Sequence, residues 1–90
     1  MNADGHYQLA VALYTLRGDV DGAERGLNEA LRLDRGHALA HYALGTLLRN
    51  ARADPDAAEA AYREALRLSP GLGLARHNLG NLLRDVRQVR

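Results

Sequence analysis

Two histidines, His37 and His41, stand four residues apart. On a helix that spacing aims two imidazoles at one metal ion. Asp34 lies close by in the chain, yet no third ligand stands at a spacing that completes a set. Two solvated histidines at a helix start are the plainer reading, and neither a metal nor any other cofactor is expected. Nucleophiles are equally scarce. Cysteine is absent and Ser69 is the one serine, set beside Pro70 with no histidine at a helpful spacing. Gly71 and Gly73 are too few and too loosely placed for a phosphate-binding loop. The chain is not expected to be an enzyme.

The composition points the same way. Ninety residues give one small domain, and 47% hydrophobic with 26% charged content suits a folded chain. Most of the apolar residues are Ala and Leu, with no Phe or Trp, so a core must come from closely packed helices. A net charge of +1 gives no long-range attraction to nucleic acid or to an anionic membrane. Every basic residue is Arg, which together with abundant Ala suggests a G+C-rich, bacterial coding sequence. No leader-like segment opens the chain and no apolar run is of membrane-spanning length, so the cytoplasm is the expected compartment.

Self-comparison is the most informative test. Glu29-Ala30-Leu31-Arg32-Leu33 recurs as Glu64-Ala65-Leu66-Arg67-Leu68, a shift of 35. At the same shift Leu44-Gly45-Thr46-Leu47-Leu48-Arg49 becomes Leu79-Gly80-Asn81-Leu82-Leu83-Arg84, and His6-Tyr7-Gln8-Leu9 becomes His41-Tyr42-Ala43-Leu44. Within each unit, apolar residues at helical spacing mark two helices. Five helices are predicted, over roughly 4–17, 20–34, 37–51, 55–69 and 72–88. Asp54 before Pro55 is a strong helix start, and Asp21 with Glu24 is read as a capping box. Gly22 and Gly26 are expected to weaken the second helix by about 1 kcal/mol each.

These residues resemble the tetratricopeptide repeat family. Unit two carries His41-x-x-Leu44-Gly45-x-x-Leu48, then Ala58-x-x-x-Tyr62, then Pro70. Unit one carries His6-x-x-Leu9-Ala10-x-x-Leu13 and Ala23-x-x-x-Leu27, with Arg35 where the proline belongs. Unit three has Arg76-x-x-Leu79-Gly80-x-x-Leu83. The resemblance implies an all-α, right-handed superhelix of tandem helix-turn-helix units, about two and a half repeats in one domain over 1–90. The repeats would run 3–37 and 38–72, with a half repeat at 73–90. A period of 35 is also that of pentatricopeptide RNA-binding repeats, but Glu-Ala-Leu-Arg-Leu before Ser-Pro looks like the end of a tetratricopeptide unit.

In that family the first helices line a concave groove that takes extended peptides. Carried over, the groove would present Tyr7, Tyr42, Thr46, Arg49, Asn50, His77, Asn78, Asn81 and Arg84. Asn side chains would bond a peptide backbone, and Arg49 and Arg84 would hold carboxylates. The expected function is therefore a protein–protein interaction scaffold whose partner is a protein or peptide, not a nucleic acid or a membrane. The competing readings are a homo-oligomerisation element and a domain from a larger enzyme or regulator, with RNA binding as a minor third. Self-association would use an apolar stripe on the last helix, Leu82, Val86 and Val89, making a homodimer through that helix.

Overall fold

The computed structural model of the chain describes residues 1–88. Five helices follow in order: α1 (Ala3–Arg17), α2 (Val20–Leu33), α3 (Ala38–Asn50), α4 (Pro55–Leu68) and α5 (Gly73–Gln88). No strand occurs among the described residues. α1 packs along α2 and α3 along α4; α4 continues onto α5 and α2 onto α3. α1 also meets α3, and α3 meets α5, so the first helices of successive units lie side by side. Such packing is consistent with a helical repeat.

Local chemistry at each boundary recurs one period on. Asp19 accepts from the Gly22 amide at 2.9 Å to start α2, and Asp54 accepts from the Ala57 amide at 3.2 Å to start α4. Each satisfies one of the amides that a helix N-terminus leaves open. Asp34 and Ser69 end α2 and α4 in the same way, each amide reaching the carbonyl four residues back. Asn2 caps α1 through the Gly5 amide at 2.8 Å, and His37 caps α3 through its Nδ1, which accepts from Ala40 at 3.1 Å. The expected capping box at Asp21 and Glu24 is therefore displaced. Asp19 is the cap, and Asp21 and Glu24 both turn outward to Arg52.

The turn between the helices of a unit requires a left-handed residue. Gly18 supplies it at φ 65° in unit one, but in unit two the same place is held by Ala53 at φ 52°. In both units the amide beyond it folds back onto the last turn: Asp19 N donates to Leu13 O at 3.0 Å and Asp54 N to Leu48 O at 3.0 Å.

Packing forms two clusters. The first gathers Ala10, Ala23, Leu27, Ala30, Ala40 and Leu47, with Leu44 against it. The second gathers Ala58, Tyr62, Ala65, Ala75, Leu79 and Leu82, with Tyr42 and Leu48 against it. The small residues are there because the helices approach closely. A Cβ added to Gly26 on α2 would sit 3.0 Å from the Ala10 methyl on α1, whereas one added to Gly22 would meet the capping Asp19 carboxylate of its own helix at 2.3 Å. These two glycines permit contacts as well as lowering helix propensity. In a core made mostly of alanine, fully buried Tyr62 carries unusual weight. Truncating an aromatic of that size costs about 3–5 kcal/mol.

Candidate functional site

The face formed by α1, α3 and α5 carries the site, and Tyr62 organises its centre from below. Tyr62 stands on α4 with no solvent exposure, its ring close against Gly45 and its centroid 6.1 Å from that of Tyr42. Its hydroxyl reaches Thr46 Oγ1 at 2.9 Å. Thr46 already donates its single hydroxyl proton to the Tyr42 carbonyl at 3.2 Å, so Tyr62 is the donor to Thr46. From α5, Asn78 Nδ2 approaches both the Tyr42 hydroxyl and Thr46 Oγ1 at 3.5 Å. Tyr42, Thr46 and Asn78, all expected from sequence to lie on the groove face, are brought together.

A second group runs along α5 and back to α3. Asn81 Nδ2 lies 3.2 Å from His77 Nε2, and Arg84 donates to Asn81 Oδ1. Arg49 on α3 forms an ion pair with Asp85 on α5. Both guanidinium groups expected to hold carboxylates thus have partners within the chain, Arg49 a carboxylate and Arg84 an amide oxygen. Asn50, exposed in the last turn of α3, takes part in neither network.

Between α1 and α3 the face opens into an apolar cavity of about 210 Å³. Tyr7, Val11, Tyr14, Tyr42 and Thr46 line it from the first helices, with Ala23 and Leu27 of α2 beneath. Burial pushes the Tyr7 hydroxyl above its ordinary pKa, with smaller additions from Tyr42 and Asp4. The Tyr7 ring lies 5.1 Å from that of His37. Sequence reasoning missed Leu27 as part of the site. The signal was there in the repeat, since Leu27 stands where unit two has Tyr62.

The histidine pair does not converge on a common point. His37 uses Nδ1 to cap α3 and places Nε2 at 3.1 Å from Asp4 Oδ1, whereas His41 Nε2 lies 3.1 Å from the Arg35 carbonyl. Among the described residues no group of three or more His, Asp or Glu is placed to hold a metal ion. No helix among them is long and apolar enough to cross a membrane.

The apolar stripe expected on the last helix needs correction. Leu82 is only 3% exposed and Val86 packs beside it, because this is the face α5 lays on α4. Val89 lies outside the described residues. Exposed leucines lie elsewhere: Leu16 (81%) and Leu9 (48%) on α1, with Leu33, Leu39 and, in the first turn of α5, Leu74. Leu9 and Leu16 occupy the repeat places of Leu79 and Val86, so the outer face of α1 is the counterpart of a face that α5 buries.

Compared with known proteins, the chain matches no protein-family model and no curated protein.

Proposed function

We propose that the chain is a tetratricopeptide-type, right-handed repeat array acting as a protein–protein interaction scaffold. It holds an extended peptide or a partner helix in the groove made by α1, α3 and α5. One observation carries the reading: those three helices lie adjacent and bring Tyr42, Thr46 and Asn78 into a polar strip beside an apolar cavity. A peptide backbone needs donors and acceptors at regular intervals, and its side chains need somewhere apolar to go. The strip and the cavity supply one of each. The near-zero charge favours a peptide over RNA, whose binding needs a basic surface.

The paired state of Arg49 shapes what the groove accepts. A peptide carboxylate must displace Asp85 to reach it, so acidic peptides gain little from this guanidinium in the native chain. The test is selection of 12-residue peptides from a random library, followed by amide-shift mapping on the labelled protein. Perturbations at Tyr42, Thr46, Asn78 and the Asp85 turn are expected, and Asp85→Asn should tighten acidic peptides at least threefold. Selected peptides that map to the outer surfaces of α2 and α4 would overturn the reading.

A second reading, self-association, is supported by exposed Leu9 and Leu16 on α1. Light scattering at high micromolar concentration separates the two. A dimer that Leu16→Glu dissolves would favour association through α1, and a monomer would exclude it.

A further inference from the structure

The cavity between α1 and α3 has a built-in comparison, since the same repeat place is occupied in unit two. There the Tyr62 ring fills the space beneath the first helices, seated on Gly45, with its hydroxyl on Thr46. In unit one Leu27 stands for Tyr62, Ala10 for Gly45 and Val11 for Thr46. Leu27 is fully buried like Tyr62, but a leucine ends well short of where a phenol ring reaches. Ala10 also keeps a ring away: a methyl at the equivalent Gly45 would come within 2.9 Å of two ring carbons of Tyr62. The chain has thus replaced its own ring by a smaller side chain and left the difference open to the groove.

We propose that this cavity is the anchor subsite of the groove and takes one ring-sized apolar side chain of a bound peptide, phenylalanine in preference to tyrosine. The inference rests on the groove being a peptide seat. Size sets the ligand class: about 210 Å³ exceeds the roughly 150 Å³ of an apolar cavity known to accommodate benzene. Chemistry sets the preference. Val11 offers no hydroxyl where unit two has Thr46, and Ala23 and Leu27 form the cavity floor, so a phenol entering from the groove would bury its O–H among apolar side chains. The side chain enters between Tyr7, Tyr14 and Tyr42, whose rings offer edge and face contacts to an aromatic guest.

The experiment titrates the full chain with N-acetyl-phenylalaninamide, N-acetyl-tyrosinamide and N-acetyl-alaninamide, following side-chain methyl and amide shifts. Perturbation of Val11, Leu27 and Ala43 is expected, with phenylalaninamide binding at least threefold more tightly than tyrosinamide and alaninamide not saturating. Two variants bracket the result. The double variant A10G/L27Y rebuilds the unit-two arrangement, fills the cavity from within and should abolish phenylalaninamide binding. V11T restores a hydroxyl and should narrow or reverse the preference between phenylalanine and tyrosine, a readout that survives if the double variant fails to fold. Equal binding of all three amides, or unchanged phenylalaninamide binding in folded A10G/L27Y, overturns the proposal. If selected peptides shift Thr46 and Asn78 while A10G/L27Y leaves their affinity unchanged, the anchor subsite falls and the groove reading stands. If phenylalaninamide seats in the cavity but no peptide perturbs the strip, the subsite stands and the groove reading falls.

Discussion

Gly45 and Gly80 occupy the same place in successive units, yet the same substitution should move stability in opposite directions at the two. Replacing glycine by alanine inside a helix ordinarily gains about 0.5–1 kcal/mol, because the unfolded chain loses freedom and the helix gains a better former. At Gly80 nothing among the described residues lies within 4 Å of an added Cβ, so Gly80→Ala should realise that gain. At Gly45 the new methyl would meet Cδ1 and Cε1 of Tyr62 at 2.9 Å and Cζ at 3.2 Å. The ring has no room to retreat, being fully buried and tied through its hydroxyl to Thr46. Overpacking of this kind costs about 1–3 kcal/mol, which at its midpoint outweighs the propensity gain and leaves a net loss of roughly 1 kcal/mol. For a domain of this size that lowers Tm by about 4–8 °C, while Gly80→Ala raises it by several degrees. The assay is thermal melting followed by far-ultraviolet circular dichroism on both variants and on G45A/Y62L, which copies the Ala10–Leu27 pairing of unit one. Much of the G45A clash should vanish in that Y62L background, so that the double variant loses less stability than the sum of the two single losses. A Gly45→Ala protein that melts as high as Gly80→Ala would refute the claim that Tyr62 and Gly45 are in close contact.

Three further outcomes follow from the boundaries and ion pairs. Ala53 holds a left-handed conformation that costs an L-residue about 1–2 kcal/mol, so Ala53→Gly should raise the urea midpoint without changing the m-value. Asp19→Ala should cost about 1 kcal/mol through loss of the α2 cap, and Asp21→Ala should cost less; equal losses in chemical denaturation would contradict the cap assignment. The Arg52 guanidinium, by hydrogen bond first and charge second, holds the Asp21 carboxyl below its ordinary pKa. A depressed carboxyl contributes stability above its unfolded pKa of about 3.9 and loses it as pH falls through the lower folded value. Tm curves of the native chain and Arg52→Gln should therefore differ near neutrality and converge in acid, and a gap that persists at pH 2 would exclude this linkage.

Much of this architecture could be read before any coordinates, for a physical reason. Helix boundaries here are set by short-range chemistry (Asp54 with Pro55, Gly18 at its turn, Ser69 before Pro70), and each expected helix ends within one residue of its observed limit. Register follows from the period of 35, which aligns Tyr42 on α3 with His77 on α5, one residue from the Asn78 that reaches the Tyr42 hydroxyl. The misreadings share a cause. Asp21 and Glu24 satisfy a capping pattern, but Asp19 lies 35 residues before the Asp54 cap, and only the repeat discriminates between them. Periodicity marks Leu82 on an apolar face without saying which neighbour covers it, and α4 covers this one. Arg49 and Asp85 are adjacent by register, yet spacing says nothing of whether a long side chain turns to its neighbour or to solvent. The cavity required one step more. The contrast of Leu27 with Tyr62 was visible, and its depth was not.

α3 lends residues to both packing clusters, Leu44 and Leu47 to one and Tyr42 and Leu48 to the other. Neither half of the molecule can therefore melt and leave this helix intact on both sides. Its amides should exchange with deuterium only when both clusters open, whereas those of α1 and α5 are each held by one cluster. A guest that grips α3 would slow proteolysis of flanking segments it never touches.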